Sequence, residues 1–257
     1  MTDIFYTIDH VLLFVDYNYP EKHKHWAKHL IISLGKEFKC IIEDKEIICR
    51  GIIIGSNVMH TIESYDNEML VYLFDETTDM SKEIEDKYLQ NNNYYTLNVE
   101  KLKEIKRVWI NEILSLKDIM KIKQKYYDVY EKILNICNLN IKKPHIKDER
   151  VKKVLKLLQE KEEITEGIIR ELADKVFLSQ SRLSHLFKEE TQTSLSSFLV
   201  IMKIGKAYEY ILNGENITDA SIKAGFNSPS HFATTNKNMF GISANEIRKD
   251  VRVIPID

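Results

Sequence analysis

Two periods of apolar residues divide this chain. Across about the first 75 positions apolar side chains come in short runs, at 4–8, 11–15, 29–34, 37–42, 46–50, 51–54, 58–62 and 69–74, with turn-forming residues between them. Runs this short and evenly spaced predict the strands of a small antiparallel barrel or sandwich. Asp44-Lys45 reads as one hairpin tip, which would set Cys40 directly opposite Cys49. From Ser81 the period becomes helical. Val99, Leu102, Ile105, Val108, Trp109, Ile113 and Leu116 share one face, and Ile119, Ile122, Tyr126, Val129, Ile133 and Ile136 share another. These are two helices, expected antiparallel, whose wide apolar stripe would pack on the strands or on a second subunit.

The stretch 138–148 holds Pro144 and polar residues without a period. We place a linker at 141–148, between a first domain at 1–140 and a second at 149–257. The second reads as helices at 149–161, 165–175, 179–190, 196–213, 218–224, 229–239 and 244–250. The chain is thus an α+β multidomain protein: a β-rich domain with two helices, then an all-α domain.

Composition agrees with this division. A chain of 257 residues with 44% hydrophobic content can bury a core in each of two domains. The sequence has no apolar run of about 18 residues and starts without a basic, cleavable leader, so the expected location is the cytoplasm, away from membranes. Three cysteines without a CxxC pair argue against a disulfide scaffold. The facing Cys40 and Cys49 permit a redox switch, although buried reduced thiols are the simpler reading. The net charge of −2 hides a split: residues 140–257 carry 19 Lys+Arg against 16 Asp+Glu, and residues 1–139 carry 18 against 23. The helical half is therefore the mildly positive one, as a surface that meets phosphates requires.

Within that half, a short helix, a tight turn and a serine-capped second helix occur twice, about 50 residues apart. The two segments are 171–188 and 218–241. Leu172, Val176, Leu178, Leu183, Leu186 and Phe187 form an apolar seam in the first, leaving Gln180, Ser181, Arg182, Ser184 and His185 to point outward. A helix held this way enters a DNA major groove. Arg182 suits guanine O6 and N7, Gln180 suits adenine, and Lys188 suits phosphate. Ser230, His231, Thr234 and Lys237 are the outward residues of the second motif; with no arginine among them, its readout should be looser.

The second half resembles the AraC/XylS family of transcription regulators. The resemblance rests on Leu172-Ala173, Ser179, Leu183, Leu186-Phe187-Lys188, Lys206-Ala207, Ile211-Leu212, Gly225-Phe226, Ser228-Pro229-Ser230, Phe232, Phe240-Gly241, Ser243 and Arg248, over roughly 149–250. It implies two DNA readers on one rigid linker helix, double-stranded DNA as partner and RNA polymerase as a second partner if the protein activates. Gln192, Lys203, Asn236 and Ala244 depart from the family pattern, which places glycine, arginine, a buried aromatic and proline there. An amide at Asn236 facing the core needs a partner or costs about 1–3 kcal/mol.

His23, His25 and His29, followed by His60, resemble the cupin-like sensor barrel found in many members of that family; cupins that bind metal use an HxH pair, a third ligand a few residues on and a later histidine, whereas the family's sensor barrels often keep such histidines without metal. His23 and His25 would share a strand face by the period of two. The four imidazoles His23, His25, His29 and His60 suit Zn, Ni or Fe(II); against this, Ser56 and Asn57 stand where the second cupin motif has Gly and Pro. The favoured expectation is no resident cofactor and a small-molecule effector in the barrel, bounded by His23, His25, Trp26, Phe38 and Tyr72, with Tyr65 nearby. Helices at 99–137 are where such sensors dimerise, so a homodimer is expected. The resulting expectation is a sequence-specific regulator, not an enzyme, controlled by an effector on the first domain. The alternatives are control by a protein partner, or a metal-dependent cupin enzyme built on the four histidines.

Overall fold

The computed structural model describes residues 2–16, 19–64, 67–140, 146–240 and 251–256. The chain separates into two compact units, one of residues 1–143 with 238–257 and one of residues 144–237.

The first unit is built on two sheets. The larger orders its strands β10 (Tyr94–Thr96), β7 (Gly51–Ile54), β4 (Lys28–Ser33), β9 (Glu68–Phe74), β2 (His10–Asp16), β1 (Thr2–Tyr6) and β11 (Val251–Pro255). The smaller orders β3 (Tyr19–His23), β8 (His60–Glu63), β5 (Phe38–Ile42) and β6 (Lys45–Cys49). Strand alternation decides what each face does. Leu30, Ile32, Leu70, Tyr72 and Phe74 lie on the face of the large sheet that packs with the helices α2 (Val99–Trp109) and α3 (Ile119–Ile136). Phe5 meets Trp109 edge-on at 5.8 Å and stacks on Tyr126 at 5.2 Å, so most of the apolar stripe on these helices is spent on the sheet. On the other face, His29 of β4 meets His60 of β8 with ring centroids 5.1 Å apart, and there the two sheets face each other.

Several features differ from the sequence reading. The β5–β6 hairpin turns at Glu43-Asp44, not Asp44-Lys45, because Ile42 pairs with Lys45 and Glu43 takes a left-handed φ of 57°. Cys40 therefore faces Ile47, and Cys49 faces Phe38. Diagonal neighbours stand roughly 7–8 Å apart, beyond the span of a disulfide. Burial pushes the Cys40 thiol up and the Cys49 thiol to about 12, so neither is poised as a thiolate.

Strand β3, the helix α1 (Asp79–Ile84) with the π-helical turn Glu85–Leu89 that follows it, and β10 were not expected. The largest difference is at the C-terminus. Val251–Pro255 is no part of a helical domain ending at 257; it pairs in parallel with β1 of the large sheet. Arg252 donates to both carboxylate oxygens of the buried Asp3, at 2.8 and 2.7 Å. A β-branched run ending in proline is suited to an edge strand, and the outer edge of β1 was open to receive it. The helix expected at 244–250, with Ala244 and Arg248, lies outside the described residues.

The second unit is helical: α4 (Glu149–Gln159), α5 (Ile168–Lys175), α6 (Gln180–Thr191), α7 (Leu195–Leu212), α8 (Ile217–Lys223) and α9 (Pro229–Phe240). Asp148, Ser179, Ser194 and Asn216 each cap the helix that follows by accepting a backbone N–H. Helix α7 is buried on most of its circumference, through Leu195, Phe198, Ile201, Met202, Ile204, Ala207 and Tyr208. Such a helix is a core element rather than a surface one.

Candidate nucleic-acid interface and histidine cluster

Helices α5 and α6 make the first helix-turn-helix. Leu172, Val176, Leu183, Leu186 and Phe187 are buried as the seam requires, and Phe187 packs on Phe198 of α7 at 5.6 Å; Leu178 is only half-buried. The Ser179 hydroxyl accepts from the Arg182 N–H and starts α6. Gln180, Ser181, Arg182, His185 and Lys188 are all exposed. Ser184 is half-buried, and its hydroxyl donates to the Gln180 carbonyl at 2.9 Å, which makes it the least available of the expected readers. The Arg182 guanidinium lies 3.8 Å from Glu189, an exposed pair that a guanine edge or a phosphate can displace at little cost.

Helices α8 and α9 make the second. Ser228 caps α9 by accepting the His231 N–H at 3.1 Å. Ser230, His231, Thr234 and Lys237 are exposed, while Phe226 and Phe232 are buried with ring centroids 5.1 Å apart. Asn236 is fully buried, and the Tyr208 hydroxyl of α7 donates to its side-chain oxygen. The departure at this position therefore carries its own partner. Gly225 turns the chain at φ +96°, where an added Cβ would stand 2.1 Å from the Ile164 carbonyl oxygen, so only glycine fits. The Lys203 ammonium donates to the Gly225 carbonyl at 2.6 Å, tying α7 to this turn; burial lowers its pKa.

Two positions of the first motif take left-handed backbone without glycine. Gln192 ends α6 at φ 65°, and Phe177, in the turn, has φ 56° with 92% of its surface exposed. The sequence reading missed Phe177, although an aromatic residue in the turn between two capped helices was visible there.

In the first unit the four expected histidines come together. Ring centroids are 4.4 Å apart for His23 and His60, 4.1 Å for His25 and His29, and 5.4 Å for His25 and His60. One nitrogen each of His23, His25 and His60 lies within 4.8 Å of the others. The route differs from the expectation of one strand face: β3 ends at His23, and His25 sits in the turn leading to β4. His23 pairs across the ladder with His60. The Nδ1–H of His60 donates to the Val58 carbonyl at 2.8 Å, and that of His23 to the Glu21 carbonyl at 2.9 Å. A carbonyl can only accept, so in each neutral ring the lone pair belongs to Nε2.

His25 and His29 are buried with neither ring nitrogen hydrogen-bonded, and Nε2 of His60 is likewise without a hydrogen bond. Each unmet buried donor or acceptor of this kind costs about 1–3 kcal/mol. Burial first, then repulsion from the neighbouring imidazoles, holds His25 and His29 well below the usual histidine range and brings His60 to about 4. The rings of His25, His29 and His60 are therefore neutral at physiological pH, the form that coordinates a cation.

The expected effector wall does not assemble. Leu30 pairs with Tyr72 and His29 with Leu73, which puts Tyr72 on the opposite face of the large sheet from His29, against His10 and Tyr130. Phe38 is buried on the face of the small sheet that carries His60, but four residues along β5 from Ile42, the partner of His60. That is about 13 Å at strand rise. Trp26 is half-buried in the turn beside His25, and Tyr65 lies outside the described residues. A groove of about 770 Å³ lies elsewhere on this unit, lined by Ile42, Glu43, Asp44, Lys45 and residues 92–96.

Residues 172–250 match the family model of a helix-turn-helix domain. No curated protein matches the sequence. Among solved structures, the chain is similar to ToxT from Vibrio cholerae O395, at 13% identity and a TM-score of 0.43, covering 96% of this chain and 95% of that one. It is also similar to unsaturated fatty acid-bound ToxT from Vibrio cholerae strain SCE256, at 13% identity, a TM-score of 0.40 and 91% coverage of each chain. Likenesses with TM-scores this low carry no functional inference.

Proposed function

We propose that this chain, which carries an AraC-type helix-turn-helix domain at residues 172–250, is a transcription regulator that reads promoter DNA with α6 and α9 and answers to a ligand held by the first unit. One observation carries the reading. Two serine-capped helices with exposed polar faces stand at either end of a single buried helix, α7, of 18 residues. At 1.5 Å per residue α7 spans about 27 Å, comparable to the 34 Å between successive major grooves on one side of a duplex. Arg182 is the direct reader, Lys188 and Lys237 are phosphate contacts, and α9 contributes shape and water-mediated contacts.

Selection from a random DNA pool with the full-length protein tests this. We expect one asymmetric site of two half-elements about one helical turn apart; no enrichment at low salt would refute it.

A specific surface supports self-association. Ile110, Leu114, Ile119 and Met120, at the corner where the π-helical turn Ile110–Leu114 leads to α3, are between 38% and 62% exposed. A second copy covering this corner would remove them from water. Sedimentation should show a dimer that Met120→Lys disperses; a monomer at high micromolar concentration would count against it.

A further inference from the structure

We propose that His23, His25 and His60, with His29 packed against them, bind one divalent ion of borderline softness: zinc, nickel, cobalt or ferrous iron. Geometry and donor chemistry carry this independently of the DNA-binding reading. Three ring nitrogens already lie within 4.8 Å of one another, from two separate stretches of chain, the end of β3 with the turn that follows it and the start of β8. Around one ion at about 2.0–2.1 Å, tetrahedral nitrogens stand about 3.3 Å apart, a contraction that small ring rotations supply. His29 adds a fourth imidazole, 4.1 Å from His25 and 5.1 Å from His60.

The hydrogen bonds are those of a ligand set. His23 and His60 each spend Nδ1–H on a backbone carbonyl, which fixes the ring and leaves Nε2 as the lone-pair nitrogen. Outer contacts of this kind orient metal-bound histidines. His25 and His29 hydrogen-bond nothing with either nitrogen despite their burial, and a cation supplies what the protein does not. The donor set also selects the ion. The group contains no carboxylate and no thiolate among the described residues, which disfavours calcium and magnesium on one side and cuprous ion on the other.

The test uses the full-length chain with any affinity tag removed, stripped with chelator and then loaded with Zn(II) or Co(II). We expect close to one equivalent of either ion to survive gel filtration and the melting temperature to rise on loading. The cobalt form should show the visible ligand-field bands of a nitrogen-ligated site. His25→Gln/His60→Gln should retain at least tenfold less metal, whereas His185→Gln, on the exposed face of α6, should retain as much as the parent. Circular dichroism would establish that the double variant folds; should it not, the cobalt spectrum of the parent chain decides the matter alone. Retention below a tenth of an equivalent by the parent, or equal retention by a folded double variant, would overturn the site.

Discussion

Phe177 states the residue-scale trade-off most clearly. Left-handed backbone costs a residue with a Cβ about 1–2 kcal/mol, and Phe177 recovers almost nothing through burial, being 92% exposed. Phe177→Gly should therefore raise the stability of the helical unit by about 1 kcal/mol in urea titration, less the flexibility glycine adds to the unfolded chain. A loss of stability would show that the ring packs on something. Gly225 is the converse: Gly225→Ala forces a Cβ onto the Ile164 carbonyl oxygen and should cost more than about 2 kcal/mol, read in the same titration. Legibility at this scale followed chemistry. The four histidines were readable as a set through their resemblance to the cupin pattern, while the path that joins them, a turn rather than a strand face, was not. Tyr72 was misplaced because an aromatic residue in the continuous apolar run 69–74 carries no mark of which sheet face it occupies.

At the scale of elements, capped amphipathic helices were legible and edge strands were not. Helices α6 and α9 were placed to within about a residue at their starts, because Ser179 and Ser228 announce them. Strand β11 was absorbed into the helical half, since five residues at the end of a chain show no sign of the distant strand they join. That strand makes a prediction. Arg252→Ala leaves Asp3 buried without its bidentate partner and should destabilise the sheet-bearing unit by about 1–3 kcal/mol, seen as an earlier transition in calorimetry. An unchanged transition would mean β11 contributes nothing to the sheet.

Helix α4 offers a pH test. Hydrogen bonds from Arg150, side chain first and then backbone N–H, bring Asp148 to about 2, below its ordinary 3.8. A depressed carboxylate stabilises the fold above its unfolded pKa, and that contribution is lost as pH falls through the folded value. Acid should accordingly weaken the helical unit between about pH 4 and pH 2, and Asp148→Asn should flatten that limb of the stability profile. An unaltered limb would remove Asp148 from the account.

On the scale of the whole molecule, the chain has a sheet-rich unit holding a buried histidine cluster and a helical unit presenting two polar helices. Among the described residues no helix is long and apolar enough to cross a membrane. The sequence reading placed the division in the aperiodic, proline-bearing stretch at 138–148, and the compact units part between residues 143 and 144, whereas the return of the C-terminus to the first unit left no sign in the sequence. In the proposed function α6 reads sequence, and its arginine does so directly. The most direct measurement is the affinity of the full-length protein, its Arg182→Ala variant and its Lys188→Ala variant for a selected site and a scrambled one, across a salt series. Arg182→Ala should lose about 1–3 kcal/mol on the selected site, with little loss on the scrambled one. Lys188→Ala should weaken both alike and lower the salt slope by about one. Equal losses for Arg182→Ala on the two sequences, or none on either, would contradict the assignment of α6 as the reader.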